Sequence, residues 1–598
     1  MKKSTIIFIV IAVVILIVAS LSLGVLLFNQ ARSTTSGLAS MSSYSSLDSI
    51  SSTGKYGMYS SYSPSKSNYM GFSVGGAKDI ENFRENIKNK YFPISTDITY
   101  NGLFYDYMFD TGVDNSKRTG NENIFFPSYS TAISKDPFSD KQEYYMTVGL
   151  NSNIKEEDFQ RKKLNLLVLL DISGSMGSPF YSYYYDNPLE YNNNGEEYSN
   201  ESKMKLANKA VCTIIDQLNQ DDKFGLVTFD TNASTEQKIE QISKLNISKL
   251  KEKIMRINDK GSTNFSAGYI KATSEFADFQ YDNKDEYENR IIIITDAMPN
   301  YGDFDEDSLM GLVKNNATSG IYTTFIGVGV DFNTKLIETI TDVKGANYYS
   351  VHNSKEFAER VDEGFEYMVT PLVFDLSLDV KSDDFNVTAI YGSDSASVKT
   401  GNIMKVNTLF PSKSEDGEVK GGVILLKLSP KNGNNGKIDV SVSYADRNGK
   451  KFSDTQSVTF KNTSDDYYDN SGIRKAIVLT RYANTLKDWI LYERSADKKF
   501  LILPVSGIID GYEFDEDYVL VVLGQHERAS VALKVSDEYK EIFKKLKEYI
   551  EKENEVLNDD TFKQEYDALD LLINFEPSDS QDDDEDDYTS IFDYGIMY

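Results

Sequence analysis

The sequence contains very few of the residues that carry thiol and imidazole chemistry. Among its 598 residues there is one cysteine, Cys212, and there are two histidines, His352 and His526. A single cysteine excludes an intrachain disulfide, and the helical apolar spacing around Cys212 predicts a small buried core residue. The two histidines lie far apart in the sequence, which argues against a zinc site and against a catalytic triad centred on histidine.

Positive charge is also scarce. The chain has 63 Lys and Arg residues against 92 Asp and Glu residues, a formal net charge of −29, and part of the acidic excess forms the run Asp582–Asp587. Such a chain is repelled by nucleic acid and by anionic lipid surfaces, whereas divalent cations and basic partners are attracted to it. We therefore expect no nucleic-acid partner, and we expect the acidic tail to be disordered.

Long apolar runs are missing except near the N-terminus, where Ile6–Phe28 carries no charge over 23 residues. A helix of that length can span the roughly 30 Å hydrocarbon layer of a membrane. The apolar region of a cleaved signal peptide is shorter, about 7–15 residues, although Val18-Ala19-Ser20 offers a cleavage site. Lys2 and Lys3 precede the run and favour a cytoplasmic N-terminus. The sequence thus predicts a single-pass anchor in the cell membrane over residues 1–30, with the bulk of the chain outside the cytoplasm.

After this segment the composition changes several times along the chain. Apolar strand-like runs alternate with helical patterns from Leu164 to about Pro371, which is typical of a doubly wound, mostly parallel α/β sheet of the Rossmann-like kind. Alternating apolar and polar residues then predict an antiparallel, β-sandwich-like unit, and helical spacing returns towards the C-terminus. We divide the chain into an anchor (1–30), a Ser/Tyr/Gly-rich linker (31–77), a partly β N-terminal region (78–161), the α/β domain (162–370), a β domain (371–465), a helical region (466–575) and an acidic tail (576–598).

The same patterns place individual elements. The predicted strands of the α/β domain are Leu166–Leu170, Phe224–Phe229, Arg290–Thr295 and Tyr322–Val328. Its predicted helices are Lys203–Leu218, Ile247–Ile257, Ser266–Phe279, Ser308–Asn316, Thr334–Thr341 and Ser354–Met368, and a further helix is predicted over Lys78–Phe92. Tyr144–Leu150 resembles another strand, and we hypothesise that it pairs with the strands after Leu372. The α/β domain would then be an insertion into the β unit.

Oxygen-bearing side chains directly follow the strand Leu166–Leu170. The next residues, Asp171-Ile172-Ser173-Gly174-Ser175, present one carboxylate and two hydroxyls at alternate positions of a tight turn. Ligands of open α/β sheets bind beyond the carboxyl ends of the strands, and oxygen ligands suit a hard cation such as Mg²⁺. Thr263 adds a hydroxyl ahead of another helix, and Asp296 follows the buried strand Arg290–Thr295. We expect the two aspartates to meet at one edge of the sheet.

This pattern resembles the von Willebrand factor type A (VWA) domain with a metal-ion-dependent adhesion site, over about Lys162–Met368. The positions that match the motif of that family are Asp171, Ser173, Ser175, Thr263 and Asp296. One departure is Ser262, because a second glycine is common before the threonine. The flanking β unit is similar to that of bacterial and archaeal membrane-anchored proteins that resemble inter-α-trypsin inhibitor heavy chains and calcium-activated chloride channel proteins.

The resemblance implies a metal site and a mode of binding. The five matching side chains would hold Mg²⁺, with Mn²⁺ or Ca²⁺ as alternatives, directly or through water. One coordination position would stay open for an acidic residue of a partner protein. Two carboxylates balance the charge of the metal, and neutral hydroxyl ligands leave it electrophilic, which agrees with this expectation.

A polar and aromatic insertion separates the motif from the next helix. Between Gly177 and Lys203 the chain contains Phe180-Tyr181-Ser182-Tyr183-Tyr184-Tyr185-Asp186 and several further Tyr, Asn and Gly residues. Tyrosine in such loops provides a large contact area at a low cost in conformational entropy. We predict that Tyr181, Tyr183, Tyr184 and Tyr185 contact a ligand at the metal edge, with a surface loop that has no partner as the alternative.

These inferences predict a membrane-anchored, extracytoplasmic binding protein for adhesion or scaffolding, which uses Mg²⁺ to bind an acidic group of a protein ligand. The alternative is an assembly factor or chaperone-like partner of an envelope complex, with the region Ile473–Phe575 docking the client. An enzyme is disfavoured. Asp171, Asp296 and a metal are the chemical groups at hand, and the sequence places no base with the pKa of histidine near them.

Overall fold

The computed structural model describes residues 69–114, 123–185, 201–279, 286–302, 305–352, 354–393, 403–431, 436–461, 463, 465–496 and 525–577. The predicted anchor Ile6–Phe28 and the acidic run Asp582–Asp587 lie outside these ranges, so both stay predictions. Within the described ranges, no helix is both long enough and apolar enough to cross a membrane.

The region ahead of the α/β domain contains both long strands and short helices. Its elements are β1 (Tyr69–Val74), β2 (Gly76–Ala77), α1 (Glu81–Lys88), α2 (Tyr100–Tyr105), β3 (Met108–Phe109), β4 (Phe125–Lys135) and β5 (Gln142–Lys155). Helix α1 is shorter than predicted. Asp79 accepts a hydrogen bond from the Glu81 N–H at its start, and Lys90 takes a φ of 61° beyond its end, a value that does not continue a right-handed helix.

The α/β domain has the alternation that the sequence predicts. Its elements are β6 (Lys163–Asp171), α3 (Lys203–Asp216), β7 (Lys223–Phe229), β8 (Ala233–Gln241), α4 (Ile247–Ile254), α5 (Phe265–Ser274), β9 (Tyr287–Thr295), α6 (Glu306–Thr318), β10 (Ile321–Val328), α7 (Thr334–Thr341), β11 (Asn347–Val351) and α8 (Ser354–Met368). The predicted elements are confirmed; the largest difference is at α5, which ends at Ser274. Strand β8 was not predicted, because it is an edge strand of the sheet and most of its side chains are polar.

These strands form a seven-stranded sheet in the order β2-β11-β10-β9-β6-β7-β8. Neighbouring strands are parallel except for β7 and β8, which are antiparallel. Alternate residues of β6 point to opposite faces: Val168 packs into one apolar core with α3, α4 and α8, whereas Leu169 packs into another with α5, α6 and α7. The sheet is therefore buried on both faces, which explains the continuous apolar runs of its central strands.

A second sheet flanks the domain and uses strands from both sides of it. The later elements are β12 (Val373–Lys381), β13 (Phe385–Tyr391), β14 (Ile403–Ser412), β15 (Ser414–Glu415), β16 (Glu418–Lys420), β17 (Val423–Pro430), β18 (Lys437–Asp446), β19 (Lys451–Thr459) and β20 (Tyr467–Tyr468). Strand β5 pairs antiparallel with β17, with Tyr144 opposite Leu428, and β1 pairs antiparallel with β14. The hypothesis about Tyr144–Leu150 is thereby confirmed: the α/β domain is inserted between strands of this ten-stranded antiparallel sheet.

The ten-stranded sheet curls so that its two edges approach each other. Phe385 lies in the edge strand β13, and Phe460 directly follows the opposite edge strand β19, yet their ring centroids are 4.7 Å apart. Tyr144 of the central strand β5 contacts both rings, at 5.8 and 6.2 Å. The apolar residues of alternating strands therefore enclose one core, as in a sandwich.

The C-terminal helices pack against the N-terminal region. They are α9 (Ser471–Ala496), α10 (Asp537–Leu557) and α11 (Lys563–Ile573). Trp489 of α9 is fully buried between Phe92 and Phe543, and its indole N–H donates to the Lys534 carbonyl at 3.2 Å. The apolar faces of these helices share one core with α1 and α2.

Candidate functional site

The motif turn begins where β6 ends. Asp171 is the last residue of the strand, Ser173 keeps an extended backbone, and Gly174–Gly177 form a 3₁₀ turn. Asp171 Oδ1 accepts from the Ser173 backbone N–H at 2.9 Å, and the hydroxyl oxygens of Ser173 and Ser175 lie 3.2 Å apart. All three side chains are buried. The turn therefore gathers one carboxylate and two hydroxyls at the end of the strand.

The second carboxylate comes from the neighbouring parallel strand. Strand β9 pairs with β6 so that Ile294 lies beside Leu170, and Asp296 follows at the same edge of the sheet. The hydroxyl of Thr295 donates to Asp171 Oδ2 at 2.6 Å and joins the two strand ends. Asp296 is fully buried, and its Oδ1 has no hydrogen-bond partner among the described residues. An oxygen of this site is thus left over for a cation.

Thr263 reaches the edge on the loop before α5. The Gly261 carbonyl accepts from the Gly174 N–H at 3.0 Å, which ties this loop to the motif turn. On its other side, the Thr263 N–H donates to Asn300 Oδ1 at 2.9 Å, and the Asn300 N–H donates back to the Thr263 carbonyl at 3.1 Å. Asn264 caps α5 through the Ala267 N–H. The loop is therefore fixed between the two segments that carry the aspartates.

Burial and like charge dominate the electrostatics of the two aspartates. Burial, and then the neighbouring charge of Asp296, raise the pKa of Asp171 to about 7. Burial also raises the pKa of Asp296, although the nearby Lys203 ammonium opposes this shift. Two adjacent carboxylates in a desolvated place favour either a shared proton or a cation. A bound divalent cation would lower both pKa values and hold both groups ionised.

The protein itself supplies a cation at this site, Lys203, which was not among the residues predicted from the sequence. Lys203, the first residue of α3, is fully buried, and its Nζ lies 3.1 Å from Asp296 Oδ2 and 2.7 Å from Asp331 Oδ2. Burial alone would lower the pKa of Lys203, but Asp331 and Asp296 outweigh this effect and raise it. The sequence offered a signal for Asp331, which lies shortly after the end of β10, but none for Lys203 itself.

A glycine makes room for this lysine. Gly329 has a φ of +94°, and a Cβ at that position would lie 2.6 Å from Lys203 Cε. Any side chain there would push against the lysine stem, and the positive φ disfavours residues other than glycine. The loop after β10 is therefore shaped around the Lys203 side chain.

The donor groups present fit a hard cation rather than a softer metal. The described residues contain no group of three or more His, Cys, Asp or Glu side chains that could hold a metal ion. The carboxylates of Asp171 and Asp296 and the hydroxyls of Ser173, Ser175 and Thr263 are oxygen donors, as Mg²⁺ and Ca²⁺ require. A cation at this edge would therefore depend on hydroxyl oxygens as well as on carboxylates.

The four predicted ligand-binding tyrosines separate into two inner and two outer residues. Tyr181 packs against the domain core beside Phe180. Tyr183 is buried, and its hydroxyl donates to Asn86 Oδ1 at 2.8 Å. Tyr184 is 42% exposed, and its N–H donates to Asp331 Oδ2 at 3.1 Å, while the Tyr185 hydroxyl donates to Glu527. Tyr184 and Tyr185 thus lie at the rim of the site, and residues 186–200 of the insertion lie outside the described residues.

Comparisons with known proteins agree with this architecture. Residues 165–363 match the von Willebrand factor type A domain family, so the chain contains a VWA domain, a domain of the adhesion and protein-interaction type. The inter-alpha-trypsin inhibitor heavy chain H2 of Mesocricetus auratus is 22% identical over 213 residues, which is 35% of this chain and 20% of that protein. The uncharacterized protein YfbK of Escherichia coli is 24% identical over 229 residues, 38% of this chain and 34% of that protein. The matches thus cover about a fifth to a third of each relative's length.

The solved structures that match this chain include two VWA proteins. The von Willebrand factor type A protein from Catenulispora acidiphila is 15% identical and covers 61% of this chain and 80% of its own, with a TM-score of 0.37. The ArnB paralog VWA2 from Sulfolobus acidocaldarius is 14% identical and covers 62% of this chain and 87% of its own, with a TM-score of 0.33.

Proposed function

We propose that this VWA domain binds an acidic group of a protein partner through a divalent cation, Mg²⁺ in the first place, in adhesion or scaffolding. Asp171, Ser173, Ser175, Thr263 and Asp296 would hold the cation. The observation that carries the proposal is the pair of buried aspartates at one sheet edge, with Asp296 Oδ1 left without a hydrogen-bond partner among the described residues. When bound, the cation would supply a Lewis-acidic position for an oxygen of the partner.

The chain's own residues have separable roles in this function. The Ser173 N–H and the Thr295 hydroxyl orient the carboxylate of Asp171 by hydrogen bonds. Asn300 fixes the loop of Thr263. Lys203 keeps Asp296 oriented and offsets part of its charge, which lets two buried carboxylates coexist before a cation binds.

The described helical region does not favour the alternative of client docking. Phe543, Leu546 and Ile550 of α10 and Leu569 and Leu572 of α11 are buried in the shared core. Their apolar faces are therefore already used inside the protein.

We place the protein on the outer side of a cell membrane, tethered through residues 1–30. A protease-protection experiment on intact cells tests this, and a protected VWA domain would contradict it.

A magnesium titration tests the metal site. The full-length chain is titrated with Mg²⁺ by calorimetry at about 0.15 M salt, where the Debye length of about 8 Å screens weak binding to its acidic surface. We expect one specific site in the wild type and at least about a tenfold loss of affinity in Asp171→Asn and Asp296→Asn, since each removes a charged ligand. The matched control is Asp416→Asn, an exposed turn residue with a φ of 50°, which asparagine tolerates. Equal Mg²⁺ affinity in the wild type and Asp171→Asn would refute the site.

A further inference from the structure

A short segment from the C-terminal region lies at the rim of the site. This rim segment, Gln525–Arg528, is held along the loop that follows β10. The His526 carbonyl accepts from Asn333 Nδ2 at 2.9 Å, and the Arg528 guanidinium donates to the Phe332 carbonyl at 2.8 Å. Arg528 also donates to the Tyr183 hydroxyl at 3.2 Å. The rim segment is therefore hydrogen-bonded both to the loop after β10 and to Tyr183 of the insertion.

Glu527 of this segment bridges the two sides of the site. Its carboxylate oxygen Oε1 accepts from Asn300 Nδ2 at 2.7 Å and also from the Tyr185 hydroxyl. Asn300 belongs to the segment after β9, whereas Tyr185 belongs to the insertion after the motif turn. One carboxylate oxygen thus connects two walls of the site, the segment of Asn300 after β9 and the insertion that carries Tyr185.

The rim segment is also one residue away from two of the five metal-site residues. Asn300, which donates to Glu527, exchanges two hydrogen bonds with Thr263. Asn333, which donates to the His526 carbonyl, uses its own backbone N–H to donate to the Asp296 carbonyl at 3.1 Å. A displacement of the rim segment would therefore remove hydrogen bonds from the two residues that contact Thr263 and Asp296.

The group that makes this bridge is a carboxylate, and it belongs to the C-terminal region of the chain. Arg528 supplies further anchoring contacts, and the two hydrogen bonds of Glu527 have a charged acceptor, which a glutamine would replace by a weaker neutral one. The carboxylate also adds negative charge at the sheet edge that already holds Asp171 and Asp296. A carboxylate of the same chain at this edge can compete with a carboxylate of a partner protein for the same place.

We propose that Glu527 is an internal competitor: its carboxylate occupies the rim that an acidic group of the partner must enter, and the partner binds by displacing it. The inference rests on the proposed function, in which an acidic group binds at this edge. Because Glu527 belongs to the same chain, its effective concentration at the rim is on the order of millimolar. An acidic group of a partner has to compete with this local concentration. The apparent affinity of a partner is reduced by the fraction of molecules in which the rim is closed.

The test compares the full-length wild type with Glu527→Gln, and Glu541→Gln serves as the matched control on the exposed face of α10. The probe is a fluorescent peptide with the sequence of residues 523–531, Leu-Gly-Gln-His-Glu-Arg-Ala-Ser-Val. We expect Glu527→Gln to bind the peptide about tenfold more tightly than the wild type in Mg²⁺, because the internal carboxylate is gone. A peptide with glutamine in place of its glutamate should not bind. Equal peptide affinity in the wild type and Glu527→Gln overturns the inference.

A second measurement needs neither peptide nor metal. Hydrogen exchange in Glu527→Gln should be at least about threefold faster for the amides of Tyr184, Tyr185 and Asn300 than in the wild type, and unchanged in α10, since the bridge between the two walls is weakened. Unchanged exchange at these amides also overturns the inference. Failure of the proposed function has a different signature, because Mg²⁺ would then bind Asp171→Asn as well as the wild type whatever residue occupies position 527.

Discussion

The seven-stranded sheet has a buried aspartate where its strands begin, which is the first edge, and another where they end, which is the second edge. The two carboxylates differ in how many hydrogen bonds they accept from the protein. Asp222, just before β7, accepts from two nitrogens of Arg161 at 2.9 and 2.6 Å and from the N–H groups of Leu164 and Asn219 at 2.8 and 2.7 Å. Asp296, just after β9, has one oxygen with no hydrogen-bond partner among the described residues. A carboxylate that is complete within the protein stabilises the fold, whereas one with an oxygen to spare is available to a cation.

The largest effect on stability is expected at the first edge. Asp222→Asn removes the charge that pairs with Arg161, whose side chain is only 3% exposed, and leaves this buried guanidinium with the more distant and exposed Glu366 as its carboxylate neighbour. We expect the free energy of unfolding to fall by about 3–5 kcal/mol, measured by urea denaturation. A fall in the free energy of unfolding below about 1 kcal/mol would show that Asp222 does not stabilise the fold as the comparison with Asp296 requires.

A somewhat smaller loss is expected when the internal cation of the second edge is removed. Lys203→Met leaves Asp296 and Asp331 buried without their shared ammonium, and we expect a loss of about 3 kcal/mol in EDTA. Mg²⁺ should restore part of this stability, since it supplies the missing positive charge. Lys205→Met is the control, because Lys205 lies on the same helix with its side chain 60% exposed. An identical loss with and without Mg²⁺ would argue against a cation at this edge.

The direct counterpart of the first substitution should be mild. Asp296→Asn leaves Lys203 paired with Asp331 and removes a charge that repels Asp171. In EDTA we expect the free energy of unfolding to change by less than about 1 kcal/mol, because a lost ion pair and a relieved repulsion offset each other. The same denaturation assay checks this. A loss as large as that of Asp222→Asn would make Asp296 a structural residue.

The second edge should also make the stability of the protein depend on pH. The pKa of Asp171 is raised from an ordinary 3.8 to about 7 by burial and by Asp296. The folded chain then binds more protons than the unfolded chain between these values, so stability in EDTA should fall as the pH rises from about 4 to about 7. Thermal melts of the wild type and Asp171→Asn over this range test the prediction, and an equal slope in both would contradict it.

Much of this edge could be predicted because strand ends are visible in a sequence. The buried runs before Asp171 and Asp296 end abruptly in a carboxylate, and parallel strands bring such ends together. The pairing of Tyr144–Leu150 with a strand after Leu372 was likewise predicted, although neither the partner strand β17 nor the register was, since many offsets keep the same face buried.

The remaining parts of the site left weaker signals or none. Lys203 starts an amphipathic helix and has the sequence context of a solvated residue, and only the folded chain shows it buried between two aspartates. Tyr183 lies in a polar loop, but it fills a space beside Tyr91. Glu527 reaches the rim across a very large sequence separation, and contacts of that kind follow no periodic pattern.

The central claim is that a divalent cation binds between the ends of β6 and β9. Crystals of the protein grown with Mn²⁺ and measured at the manganese absorption edge test it most directly. We predict one strong anomalous peak beside Ser173 Oγ, Ser175 Oγ and the carboxylates of Asp171 and Asp296, and its loss in Asp171→Asn. A wild-type crystal with manganese bound elsewhere on the acidic surface and none at this edge would contradict the account.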